Sequence, residues 1–228
     1  MFYPPLKVQT GKRAIICFTL PEWNFLNKNL FFERSLTWLN IKIKYNSDAI
    51  ILGPLIGAPI VAMVLELLSN LGIKEILGIG WAGKINTKLN LGDLLLPQKA
   101  YSLEGVSKLY FPSKKVFFPN EKLLNIIEKE MNKQFINYKK GNILSTDVPF
   151  KIEKNKGFLE KWKKKISAID METSALFSVG NALNLKVVNI CFITDEIGKT
   201  TYRKPEEKIM KIRKKLLKLL EKFVSYKI

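Results

Sequence analysis

A chain of 228 residues with 47% apolar content, including 14 Phe and 4 Trp, is long and apolar enough to close one hydrophobic core. That excludes a disordered chain and predicts a single domain over 1–228. The absence of histidine removes Ser-His-Asp and Cys-His mechanisms, histidine metal sites and histidine proton shuttles, so acid–base work falls to Asp, Glu, Lys, Tyr or Cys. The formal charge of +18 raises the question of a nucleic-acid partner. Arg is scarce beside Lys, no nucleic-acid motif is present, and the lysines are scattered or ride on helices, as at 161–165 and 204–222. The reading is a solvated basic surface with no nucleic-acid partner, whose charge helps attract anionic ligands.

Residues 1–13 carry no apolar run of the signal-peptide kind. Residues 13–19 read as a first strand, followed by the loop Thr19-Leu20-Pro21-Glu22-Trp23. Residues 41–45 and 49–52 read as a hairpin turning at Asn46-Ser47. The uncharged run 49–65 is broken by Gly53-Pro54 and Gly57-Ala58-Pro59, so a strand, a loop and an amphipathic helix fit it better than a membrane span. Ile60, Val64, Leu67, Leu68 and Leu71 form that helix's expected stripe, and Gly72 closes it. The next strand, 74–79, leads into Gly80-Trp81-Ala82-Gly83. Residues 89–96, 99–103 and 141–145 read as strands, and 120–132 and 153–164 as helices.

From 166 to 196 the pattern is strand, helix, strand with a carboxylate at each junction. An apolar run at 166–169 meets Asp170-Met171-Glu172-Thr173, which opens a helix with Ala175, Leu176, Val179 and Leu183 at helical spacing. The buried strand 187–193 ends in Thr194-Asp195-Glu196. Ligands of open α/β sheets gather at such strand ends, and two acids there can divide labour between hydroxyls and a proton. Residues 205–226 form a basic amphipathic helix with Ile209, Ile212, Leu216, Leu219, Leu220 and Phe223 on its apolar side. Packing over the sheet suits it better than membrane binding. Cys17 and Cys191 lie in apolar strands and read as reduced core thiols of a cytoplasmic protein.

From about Arg13 onward the chain resembles the nucleoside phosphorylase family, which includes purine nucleoside phosphorylases, uridine phosphorylases and methylthioadenosine/adenosylhomocysteine nucleosidases. Seven pieces fall in the family's order. They are Gly53-Pro54-Leu55-Ile56-Gly57-Ala58-Pro59, the Gly-rich turn Gly78-Ile79-Gly80-Trp81-Ala82-Gly83, Leu91-Gly92-Asp93-Leu94, the segment Leu103-Glu104-Gly105-Val106-Ser107 with Tyr110-Phe111-Pro112, Ser145-Thr146-Asp147 with Phe150, Met171-Glu172, and Thr194-Asp195. The resemblance implies an α/β fold in which a mixed, twisted sheet closes into a distorted barrel flanked by helices. It implies cleavage of a nucleoside's N-glycosidic bond by phosphate or by water, no metal and no cofactor beyond phosphate as a co-substrate, and a homo-oligomer (dimer, trimer or hexamer).

By the same resemblance, Glu172 accepts hydrogen bonds from the ribose 2′- and 3′-hydroxyls, and Asp195 protonates or hydrogen-bonds purine N7 as the base departs. Met171 packs on the sugar or in the core. Phe150 and Trp81 line the base pocket or the core. Family phosphorylases carry an Arg before the Gly-rich turn, a Ser or Thr within it and a G-D-P-x-R loop, where this chain has Gly78, Trp81 and the loop 19–23. Arg34 resembles the phosphate-binding Arg lent by a neighbouring subunit. Glu22 falls close to the nucleosidases' water-activating glutamate, or is an exposed loop acid. The expectation leans to hydrolysis of a purine nucleoside, with phosphorolysis and non-catalytic nucleoside binding as alternatives.

Overall fold

The computed structural model describes residues 13–198 and 206–225. In chain order the elements are β1 (Arg13–Cys17), α1 (Leu20–Asn29), β2 (Arg34–Trp38), β3 (Ile41–Tyr45), β4 (Ala49–Gly53), α2 (Ala58–Asn70), β5 (Glu75–Lys84), β6 (Leu94–Ser102), α3 (Ser107–Tyr110), β7 (Val116–Phe117), α4 (Glu121–Lys133), β8 (Lys139–Ser145), α5 (Pro149–Glu153), α6 (Lys156–Trp162), β9 (Ala168–Asp170), α7 (Thr173–Ala182), β10 (Lys186–Glu196) and α8 (Glu206–Val224).

The ten strands form one mixed sheet in the order β10-β6-β8-β9-β5-β1-β4-β3-β2, with β7 on β6. A further pairing of β10 with β5 closes β5, β10, β6, β8 and β9 into a five-stranded barrel. The expected distorted barrel is therefore present, and β1 to β4 extend from it as an open wing. All five barrel strands contribute to one apolar cluster, through Ala82, Cys191, Leu95, Ile143 and Ala168, and that cluster continues into α2 and α7. The opposite face packs on α1, α4 and α8 through residues such as Leu26, Ile127 and Leu216. Burial on both faces explains why β1, β4 and β10 read as continuous apolar runs rather than alternating ones.

Several expected elements change. Residues 20–29 are a helix, not a loop, because Pro21 suits the first turn and Trp23 and Leu26 both face the core. β2 was not expected: its alternation of Ser35, Leu36, Thr37 and Trp38 is short, and the strand pairs antiparallel with β3. The Gly-rich stretch 80–83 is strand, since β10 pairs with β5 through Gly83. The strands expected at 89–96 and 99–103 are one, β6, and Gly92-Asp93 is a turn before it. The helix expected at 153–164 breaks at Asn155, whose side chain caps α6 by accepting from Phe158 N–H. On α2 the buried stripe runs through Val61, Val64, Leu65 and Leu68, and Ile60 and Leu71 are half-buried. Pro205, expected to open the last helix, lies outside the described residues.

Candidate functional site

Glu172 opens α7 and is 7% exposed. Its Oε1 accepts the Gly57 N–H at 2.7 Å and its Oε2 the Met171 N–H at 3.2 Å. Gly57 precedes α2 at φ +89°, a conformation L side chains rarely adopt, and that turn aims its N–H at the carboxyl. Glu172 thus lies where α2 and α7 both begin, a setting that favours negative charge.

Asp170, at the end of β9, caps α7. Its Oδ2 accepts from the Thr173 N–H at 3.0 Å and from the Thr173 hydroxyl, and its Oδ1 accepts the Ser145 hydroxyl at 2.5 Å. Burial pushes Asp170 up to about 6. Burial, reinforced by the Asp170 charge, pushes Glu172 up to about 8. The two acids form a coupled pair that holds a proton well above the ordinary carboxylate range.

The loop before α3 is tied to the same helix. Glu104 accepts from the hydroxyls of Ser102, Ser107 and Ser174 and from the Val106 and Ser107 N–H groups. Those donors hold its carboxyl below the usual value despite its burial. Ser174 N–H in turn donates to the Ser145 Oγ.

Asp195 lies inside β10, not beyond it, just after a register shift between Ile193 and Asp195. A Cβ added to the facing Gly83 would come within 2.7 Å of the Asp195 Oδ2, so glycine there leaves room for the carboxyl. Thr194 Oγ1 donates to Asp195 Oδ1 at 2.7 Å. Gly83 pairs with Asp195 on one side and Ile169 on the other. The strand carrying Asp195 and the one leading to Asp170 are therefore two strand spacings apart, roughly 10 Å.

Glu22 is 0% exposed, because α1 turns it inward. Trp81 Nε1 donates to its Oε1 at 2.7 Å, and Arg213 of α8 donates Nε to Oε2 at 2.9 Å and an Nη to Oε1. The Arg213 guanidinium also lies 5.6 Å from the Phe192 ring centroid, and Phe192 pairs in register with Trp81. The exposed-loop alternative for Glu22 is thus corrected. Arg213 was missed by the sequence reading. The signal was an arginine at 213 on the stripe of buried Ile209, Leu216 and Leu220, where a charge persists only with a buried partner.

The other candidates are dispersed. Met171 is half-buried beside Glu172. Phe150 is 76% exposed on the short helix α5. Arg34 is exposed on the edge strand β2, four strand spacings from β5, roughly 19 Å. Cys17 and Cys191 are buried, and burial raises both thiols well above their usual value, which suits inert core residues. Among the described residues no acid and cysteine cluster could hold a metal ion, and no helix is long and apolar enough to cross a membrane.

Residues 12–225 match the family described as the phosphorylase superfamily. A DeoD-type purine nucleoside phosphorylase of Shewanella oneidensis is 27% identical over 157 residues, covering 68% of this chain and 66% of that protein. A 5′-methylthioadenosine/S-adenosylhomocysteine nucleosidase of Buchnera aphidicola is 31% identical over 128 residues, covering 53% of this chain and 55% of that protein. The chain thus spans less than two thirds of the length of either relative. The crystal structure of uridine phosphorylase from Vibrio fischeri superposes with a TM-score of 0.82 at 22% identity, covering 99% of this chain and 100% of that one, a likeness of fold.

Proposed function

This chain belongs to the phosphorylase superfamily, and we propose that within it the protein hydrolyses the N-glycosidic bond of a purine nucleoside, releasing free base and free sugar. The observation that carries hydrolysis over phosphorolysis is the Glu22 corner. Phosphate recognition needs guanidinium forks and small hydroxyl donors facing an open space. Here the indole of Trp81 and the guanidinium of Arg213 are both bonded to a carboxylate, and that acid would repel phosphate. An ionised carboxylate offers about four acceptor positions. Trp81 and Arg213 use three of them, which leaves one on Oε2 for a water.

In this reading Glu172 grips the ribose 2′- and 3′-hydroxyls with a carboxyl already oriented by Gly57 and Met171. Glu22 orients the water for attack on C1′ and accepts the proton that the water loses as the C1′–O bond forms. As the C1′–N bond breaks, the ring oxygen shares the positive charge, and Asp195 donates its proton to N7 so that the base leaves neutral. Met171 packs on the sugar and Phe150 over the base. The molecule acts as a homo-oligomer, without metal or cofactor.

The test is to assay inosine, adenosine and methylthioadenosine with and without phosphate and to identify the sugar released. Phosphate-independent turnover to free sugar is expected. Strict phosphate dependence with a sugar 1-phosphate as product would establish phosphorolysis, with Arg34 of a neighbouring subunit as the candidate anion ligand. A second reading, nucleoside binding without chemistry, is favoured by the grip of Arg213 on Glu22. Binding without turnover in either buffer would select it.

A further inference from the structure

The positive charge, scattered along the sequence, is gathered by the fold. Two clefts of about 1010 and 790 Å³ meet at Lys140, which lines both. Together they are lined by ten lysines and two acids, Asp93 and Glu160. Asp93 is paired with Lys208, Glu160 with Lys163, and Lys140 with Glu128 beside the clefts, which leaves seven of the ten lysines with no acid partner among the described residues. The lysines come from the loop after β5, the start of β8, the end of α6 and one side of α8. On α8, Lys208, Lys211 and Lys215 recur at helical spacing along one face, a stripe roughly 10 Å long. Lys139, Lys211 and Lys214 take part in no ion pair among the described residues, which leaves their charge available.

An aromatic stands at the rim. Phe135, just beyond α4, is 83% exposed and has a left-handed φ of +51°, and its carbonyl accepts from Lys215 Nζ at 3.4 Å. Tyr138 lines the larger cleft itself. We propose that this band binds single-stranded nucleic acid, its phosphates along the lysines and unstacked bases against Phe135 and Tyr138. A basic groove edged by aromatic faces is the arrangement that holds single strands without reading sequence. Lysines act as point charges on phosphate and carry no base information. Exposed lysines with a single protruding ring, Phe135, fit a flexible polyanion better than a membrane, which calls for a broad apolar face standing out among the charges. The site lies outside the Glu22, Glu172 and Asp195 residues and is independent of the proposed hydrolysis.

The test is fluorescence anisotropy of a labelled single-stranded RNA oligonucleotide against the full chain at 50 to 200 mM salt. If about four phosphates are engaged, log affinity falls with log salt at a slope of about −2.8, about 50-fold over that range. Lys139→Gln, Lys211→Gln and Lys214→Gln together should reduce the slope to about −0.7. Lys28→Gln, Lys42→Gln and Lys122→Gln, made together at positions that line neither cleft, should leave it unchanged. Phe135→Ala should weaken the oligonucleotide about tenfold without weakening inorganic polyphosphate. Thermal melts of each variant separate lost binding from lost folding. Equal losses in the two triple variants, no binding at 50 mM salt, a Phe135→Ala variant that binds RNA normally, or tighter band-dependent binding to acidic lipid vesicles would each overturn the proposal.

Discussion

Two buried glutamates, one on α1 and one at the start of α7, are handled in opposite ways. Glu22, on the face covered by α1 and α8, meets a guanidinium and an indole N–H. Glu172, where α2 and α7 begin, meets two backbone N–H groups and has a second acid, Asp170, beside it. A cation makes the first an ion pair that the folded state must keep intact. Backbone dipoles without a cation leave the second holding a proton until something better arrives. The first arrangement suits a fixed anchor that orients a neighbour, and the second suits a carboxyl that changes state when hydroxyl donors bind.

Breaking the ion pair should have the largest effect. Arg213→Met leaves Glu22 buried and uncompensated and should lower unfolding free energy by about 3–5 kcal/mol, measured by urea denaturation. Adding Glu22→Gln should recover most of that loss. A single variant as stable as the parent would show that the pair carries no structural load.

Asp195 sharpens the contrast, because its proposed role is in chemistry and not in anchoring. Asp195→Asn should retain the fold and nucleoside binding while lowering turnover by about 100-fold or more on purine nucleosides. Unchanged activity would remove it from the mechanism. Glu172→Gln should instead raise KM, by about tenfold, because it weakens the grip on the ribose in ground and transition states alike.

The acid pair makes a pH prediction. Glu172 stands at about 8 in the folded chain against an ordinary 4.5. Between those values the folded chain keeps a proton that the unfolded chain releases. The stabilisation is complete below the lower value and is lost as pH rises to the upper one, by up to about 1.4 kcal/mol per pH unit. Glu172→Gln cannot ionise and should flatten this slope. A wild-type stability that rises with pH over the same window would contradict the buried, protonated state. If Glu172 holds the ribose hydroxyls as proposed, nucleoside affinity should climb with pH towards 8, since the carboxylate form is the better acceptor.

The smallest expected effect is at Phe150. If it closes over the base, Phe150→Ala should weaken nucleoside binding by about 0.5–1.5 kcal/mol, read by calorimetry, with no change in stability because the ring is already exposed. An unchanged Kd would leave Phe150 outside the pocket.

The sequence by itself determined the alternation of strands and helices, the hairpin at Asn46, and the placing of Glu172 and Asp195 near strand ends. Those features rest on local periodicity and turn chemistry, which act over a few residues. What only the tertiary structure decided is long-range. Glu22 and Arg213 are 191 positions apart and meet because α1 and α8 pack on the same face of the sheet. α1 itself was hidden because only two apolar residues within it, Trp23 and Leu26, are buried, too few to show a helical stripe. β2 is too short to stand out and is fixed by its pairing with β3, and β5 runs through its glycines because β10 supplies the ladder. The lysine band has the same origin: charges far apart in the chain become one surface only when the barrel closes and brings β8, α6 and α8 side by side.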